Sequence, residues 1–379
     1  MKKIAIIGAS YLQESLVRKA KEMNLYTICF AWREGATCAD ICDKFYPISI
    51  REKEEILSVC QQEKIDGICT IASDVAAPTV AYIANKMGLV GNDYEVAVRA
   101  NNKYQMRNAF MKADVPCPRY LMLSEHDLPN AEKLDTLREV QLPLIVKPSD
   151  RSGSLGVTKI ETPSAFFPAV ENAISVSFKK QAMVEEFIDG REISVEFISF
   201  KGKHYPLQIT DKVTTEAPHF VELEHHQPST LTQKQYEEIY AITRKALDAL
   251  GLTDGASHSE YKITPEGRIA IMEIGGRMGG DFIGSDLVQL STGYDFVRGV
   301  IDVALGEFNE PNFTLHKHSG VYFLCKETEW LLPIIQKWQE RSEFIKGEIS
   351  DDTLRNVQKS TDRSGYVIYQ SDIKIDLEA

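Results

Sequence analysis

The sequence predicts an α/β and α+β chain: a Rossmann-like parallel unit, then a region of mixed strands and helices. Three observations predict it. Residues 3 to about 100 alternate short apolar runs with amphipathic stretches, as a parallel sheet wrapped by helices requires. Near residue 100 the pattern gives way to a basic helix and the break Val115-Pro116-Cys117-Pro118. Beyond it strands come in pairs around tight turns, most plainly at Pro265-Glu266-Gly267. With 379 residues, 43% of them hydrophobic, the chain is long enough for two or three cores.

In the first unit, 1–100, we expect strands at Lys3–Ile7, Tyr26–Ala31 and Ile65–Thr70, with helices at Gln13–Met23, Lys53–Glu63 and Ala77–Met87. The first turn, Gly8 to Gln13, has one glycine where a dinucleotide fingerprint has three, and the second strand runs into Trp32 instead of an acid. NAD binding, and with it a dehydrogenase, is therefore not expected. Ala72-Ser73-Asp74 follows a strand's C-terminal end, where open α/β sheets place ligands; Asp74 either lines a substrate site or caps the next helix.

Composition narrows the function further. No apolar run approaches the roughly 20 residues of a membrane helix, and the basic-then-apolar start is too short for a signal peptide. Seven cysteines without paired spacing fit a reducing cytoplasm, and Cys38 and Cys42 alone do not make a zinc site. The net charge of -12 argues against general nucleic-acid or membrane-surface binding.

The second region opens with the helix Asn101–Phe110, whose Lys103 and Arg107 lie one turn apart and suit a shared anion or a solvated face. A helix around Ala131–Glu139 follows. The run Pro143–Val157 then delivers Lys147 on a strand into a loop in which Ser152, Gly153, Ser154 and Gly156 present backbone N–H groups to phosphate oxygens. The lysine precedes the glycines, so this is not a Walker A motif. After a helix at Ser164–Val176 come a strand, Gln181–Ile188, carrying Glu185 and Glu186, then Gly190-Arg191-Glu192 and a strand to Phe200. The hairpin of Asp254–Ile263 and Arg268–Glu273 sets Glu260 and Glu273 side by side; such a pair repels unless a cation intervenes, and hard oxygens suit Mg²⁺ or Mn²⁺. Glu273 leads into a loop whose four glycines admit close approach of a ligand around Arg277.

A lysine on a helix after a Rossmann-like unit, Val-Lys-Pro with its Gly/Ser loop, Glu-Glu-Phe-Ile-Asp-Gly-Arg-Glu, and Glu260 with Glu-Ile-Gly-Gly-Arg stand in an order that resembles the ATP-grasp superfamily. The branch is that of biotin carboxylase, the carbamoyl phosphate and glycinamide ribonucleotide synthetases and the L-amino acid ligases. The resemblance spans about residues 1 to 300. It implies a pre-ATP-grasp domain at 1–100, an ATP-grasp domain at 101–300 with lobes at about 114–180 and 181–300, and a segment 301–379 packing on the core. It further implies that Lys103, Lys147 and the loop Ser152–Gly156 meet the ATP phosphates, and that Glu185, Glu186, Phe187 and Ile188 form the adenine-binding hinge. Glu192 would meet the ribose, Glu260 and Glu273 the Mg²⁺ or Mn²⁺ ions, and Arg277 the transferring group. Gly275 replaces the family's usual asparagine, removing one side-chain metal ligand.

The activity so implied is ADP-forming ligation of a small-molecule carboxylate to an amine through an acyl phosphate, possibly between amino acids. The alternatives are a bicarbonate-using carboxylase or carbamate-type kinase, and a nucleotide-binding module without turnover. The polar segment Thr210–Ser229 offers Glu222, His225 and His226 for the amine, with Lys212 and His258 as weaker candidates. The resemblance also implies a homodimer. In the tail, strands are expected at Gly320–Cys325, Gly365–Tyr369 and Asp372–Ile375, and a short amphipathic element at Leu331–Trp338.

Overall fold

The apolar runs of the first hundred residues form β1 (Lys3–Ile7), β2 (Tyr26–Phe30), β3 (Lys44–Tyr46) and β4 (Gly67–Cys69), a parallel sheet of order β3-β2-β1-β4. The structure is a computed structural model that describes residues 1–127, 142–151, 155–215, 219–351 and 353–377. β1 lies between β2 and β4, so its run Ile4–Ile7 is fully buried on both faces, as central parallel strands are. Between these strands run α1 (Glu14–Glu22) and α2 (Lys53–Glu63); α3 (Ala77–Met87), α4 (Tyr94–Ala100) and α5 (Lys103–Lys112) follow. The expected start of α1 at Gln13 is a 3-10 turn instead, because Ser10 and Gln13 cap each other.

A second, antiparallel sheet takes the order β5-β8-β6-β7, from β5 (Tyr120–Ser124), β6 (Leu144–Pro148), β7 (Thr158–Ile160) and β8 (Gln181–Glu186). Its period of two gives it two characters. Leu144, Val146, Ala182 and Val184 pack beneath α6 (Phe166–Val176), while Lys147 and Glu185 turn to the opposite side. β8, which begins at the lobe boundary expected at 181, hydrogen-bonds to β5 and β6 and is part of this sheet. The helix expected at Ala131–Glu139 lies outside the described residues.

The third sheet has eight strands in the order β13-β12-β9-β10-β11-β14-β16-β15. It comprises β9 (Arg191–Phe200), β10 (Lys203–Thr214), β11 (Glu222–Gln227), β12 (Gly255–Ile263), β13 (Ile269–Gly275), β14 (His318–Leu324), β15 (Phe344–Ile349) and β16 (Gly365–Ser371). One face carries Ile193, Val195, Phe197, Ile209, Tyr261 and Ile271, packed with α5 and with α7 (Gln233–Leu250). That long helix begins at a capping box of Thr232 and Gln235. α8 (Val288–Thr292) and α9 (Phe296–Ala304) follow the glycine-rich loop, so residue 300 falls inside a helix; α10 (Leu332–Gln336) lies between β14 and β15.

Thr210–Ser229 is largely the adjacent strands β10 and β11, whose alternating side chains let polar residues share a buried face. One expectation is corrected in the tail. The tail's final strand partner is β15, not Asp372–Ile375, and β14 joins the tail to β11 within the same sheet. Among the described residues no helix is long and apolar enough to cross a membrane.

Candidate functional site

On the small sheet, Lys147 Nζ pairs with Glu185 Oε2, and Arg107 Nε lies 2.7 Å from Glu185 Oε1. Arg107 Nη2 also donates to the Met272 carbonyl at 2.5 Å. Burial favours the neutral forms throughout. Against it, Arg107 and then Lys147 hold Glu185 below the usual carboxylate range, while burial prevails at Lys147 and lowers its ammonium. Lys103 points elsewhere, to Glu273, so Lys103 and Arg107 do not share an anion. The reason is depth: Arg107 is wholly buried beneath the helix, whereas Lys103 occupies its first turn.

Glu185 therefore orients Lys147 from below, and the hinge residues follow it. The Glu186 carboxylate is held by Arg268 at 2.7 and 3.2 Å, its N–H donates to the Arg119 carbonyl, and Ile188 is buried. The Phe187 ring lies under Lys159 Nζ at 4.5 Å. Ser152, Gly153 and Ser154 lie outside the described residues. Gly156 adopts φ +74°, and a Cβ there would stand 2.5 Å from Val176 Cγ2, so glycine is required on both counts.

On the large sheet, Glu260 and Glu273 are register partners on β12 and β13, as their spacing predicts. Lys212 on β10 reaches Glu192 at 2.8 Å, Glu260 at 3.2 Å and Glu222 at 3.4 Å; Lys262 adds a 3.0 Å contact to Glu192. Glu222 joins because a bulge on β11 sets it opposite Thr214, on the face that strict alternation would deny it. Lys212 first, with His258 adding to it, holds Glu260 well below the usual carboxylate range against the opposing effect of burial. Burial opposes the Lys212 charge, but Glu260, Glu192 and Glu222 raise its ammonium well above the ordinary lysine value. His258 bridges Glu196 and Glu260; burial works against its imidazolium, yet Glu196 lifts it to about 9.

The two expected histidines part company. His225, opposite Lys212, is buried with neither ring nitrogen hydrogen-bonded among the described residues, and burial keeps it neutral by lowering its pKa well below 6.5. His226 turns to the other face, its Nε2 2.7 Å from Glu224 and its Nδ1 2.9 Å from the Tyr369 hydroxyl. Neighbours on a strand cannot face one site, so His226 is set aside as a substrate group.

Asp74 does not cap α3. It grips Arg277 with two bonds of 2.8 Å, and despite its burial the guanidinium holds its carboxyl below the usual range. This pair explains the glycine in the asparagine position: a Cβ on Gly275 would stand 2.6 Å from Asp74 Oδ1 and 3.2 Å from Arg277 Cζ. Beyond Arg277 opens a cavity of ≈ 780 Å³ lined by Tyr11, Gly280, Phe282, Arg363 and Tyr366, among others. Arg363 donates to Asp281 at 2.7 Å and stacks on Phe323 at 3.8 Å. Asp281 and Phe282 hold φ of 48° and 66°, a strained turn at the cavity wall. No motif in the tail marks Arg363 or Tyr366; only the continuation of the sheet brings them here.

A family model described as an ATP-grasp domain matches residues 140–286. Residues 140–286 are thus similar to an ATP-grasp domain. Alanine–anticapsin ligase of Bacillus subtilis (strain 168) is 30% identical over 249 residues, 60% of this chain and 51% of that protein, so the chain spans about half the length of this curated relative. The L-amino acid ligase structure from Bacillus licheniformis superposes with a TM-score of 0.78 at 21% identity, over 98% of this chain and 94% of the other. Phosphoribosylglycinamide synthetase from Anaerococcus prevotii gives 0.74 at 22%, over 98% and 94%. At these identities the structural likenesses establish the fold.

Glu260 and Glu273 fit a hard divalent cation by donor chemistry and by register. Among the described residues no group of three or more His, Cys, Asp or Glu side chains converges as a metal site.

Proposed function

We propose that this chain is an ATP-dependent ligase that activates a carboxylate as its acyl phosphate and passes it to an amine, with amino acids as the substrate class. The observation that carries the reading is the set of buried ion pairs that presents Lys147 with Glu185 on the small sheet, and Lys103 with Glu273 and Lys212 with Glu260 on the large one. In this reading the adenine edge meets the Glu186 carbonyl and the Ile188 N–H beside Phe187, and Glu192 meets the ribose.

Lys103 and Lys147 neutralise the phosphates. The substrate carboxylate attacks the γ-phosphorus, the bond to the β-phosphate oxygen breaks, and ADP leaves; the lysines are pre-positioned for the charge that develops. Mg²⁺ or Mn²⁺ held by Glu260 and Glu273 would supply further neutralisation of phosphate charge. Arg277, fixed by Asp74, holds the acceptor end, and the loop ending at Gly156 excludes water from the acyl phosphate. The amine then attacks the acyl carbon and inorganic phosphate departs, with Glu222 and His225 assigned to the amine and its proton.

The relatives' names support ligase chemistry, and alanine–anticapsin ligase takes an amino acid, alanine, by name. The test is a phosphate-release screen of amino acids singly and in pairs, with product mass. Amide products confirm the reading. Bicarbonate-dependent ADP formation without an amine supports the carboxylase alternative, and ATP binding without ADP release supports a module without turnover.

A further inference from the structure

We propose that Lys212 is an internal counter-cation that keeps the divalent-metal position closed until nucleotide arrives. This rests on the assignment of Glu260 and Glu273 to the metal. Three carboxylates, Glu192, Glu222 and Glu260, share the ammonium groups of Lys212 and Lys262, and a fourth, Glu273, the register partner of Glu260, is held by Lys103. Lys212 is the hub, contacting three of the four acids with a side chain only 3% exposed.

The charges already nearly balance, and that decides what can enter. A bare divalent ion would have to displace an ammonium from Glu260, leave that ammonium in a buried place with fewer partners, and shed its own water. The exchange is unfavourable at each step. A triphosphate reverses the balance, since its negative charge gives the displaced ammonium a new partner and completes the ion's oxygen shell. Metal and nucleotide therefore enter together.

The residue type suits this task. An ammonium has three donors, one for each of Glu192, Glu222 and Glu260, and a flexible four-carbon stem that lets the head group swing aside. No other described lysine contacts more than one of these four acids.

The test titrates full-length protein with Mn²⁺, reading the free-ion signal by electron paramagnetic resonance, with and without a non-hydrolysable ATP analogue. Wild type is expected to bind Mn²⁺ with the analogue and not without it. Lys212→Met should bind Mn²⁺ without nucleotide at least about tenfold more tightly than wild type, and Lys212→Arg should behave as wild type. If Lys212→Met gains no nucleotide-free site while both proteins bind Mn²⁺ with the analogue, the counter-cation role is wrong and the metal assignment stands. If Glu273→Gln leaves analogue-dependent Mn²⁺ binding intact, the metal assignment fails and this inference with it. Should Lys212→Met be too unstable to titrate, melting in Mn²⁺ against EDTA serves: a rise of about 4 °C or more in the variant alone supports the role, and equal shifts in variant and wild type overturn it.

Discussion

The protein holds two networks of buried charge, and they differ in how completely they are closed. Arg107, Glu185 and Lys147 have little exposure, and the acid lies between two bases. Glu260 and Glu273, by contrast, keep side-chain exposures of 36% and 35% within an acid-rich cluster. The first arrangement suits a fixed support. The second suits an exchange of partners once a nucleotide gives the displaced ammonium a new one, because the acids themselves stay partly in solvent.

The sharpest way to break this comparison is to open the closed network. Arg107→Met leaves Glu185 beside a single base in a dry site, and we expect a loss of about 3–5 kcal/mol in urea-unfolding stability. A loss under about 1 kcal/mol would show that the triad is not a support. The open network should respond in rate instead. Glu273→Gln is expected to lower ligand-dependent phosphate release by about 10²–10³-fold, roughly 3–4 kcal/mol of barrier, with little change in unfolding midpoint.

The adjacent histidines sharpen the same contrast. His225 is neutral when folded and titrates near 6.5 when unfolded, so protons bind the unfolded chain first as pH falls. Its contribution is thus intact above about 6.5 and drains at up to about 1.4 kcal/mol per pH unit below it. His225→Phe should lose that part of wild-type acid sensitivity, read as the difference between unfolding free energies at pH 7 and 5.5. The smallest effect belongs to His226→Phe, which removes its bonds to Glu224 and Tyr369 and should cost about 1 kcal/mol without altering turnover.

Which of these features were legible beforehand follows from the range of the signal. Strand β1 and helices α2 and α3 announce themselves through short-range periodicity, and Glu260 faces Glu273 because a local hairpin fixes their register. Glu222 joins Lys212 only through a bulge, which no alternation rule anticipates. The Asp74–Arg277 pair spans more than two hundred residues, and Arg363 reaches the cavity through a strand order that sequence patterns do not encode. Helix α7 carries a local start signal in the sequence, the cap of Thr232 with Gln235.

The pairing of β11 with β14 also limits how the chain can be shortened. A fragment trimmed to the region matched by the family model would retain β11 but lose β14, β15 and β16, turning a central strand into an open edge. Unpaired N–H and C=O groups along such an edge invite association with other chains. Such a fragment should self-associate, and the tail is as much a part of the sheet as the motifs that precede it.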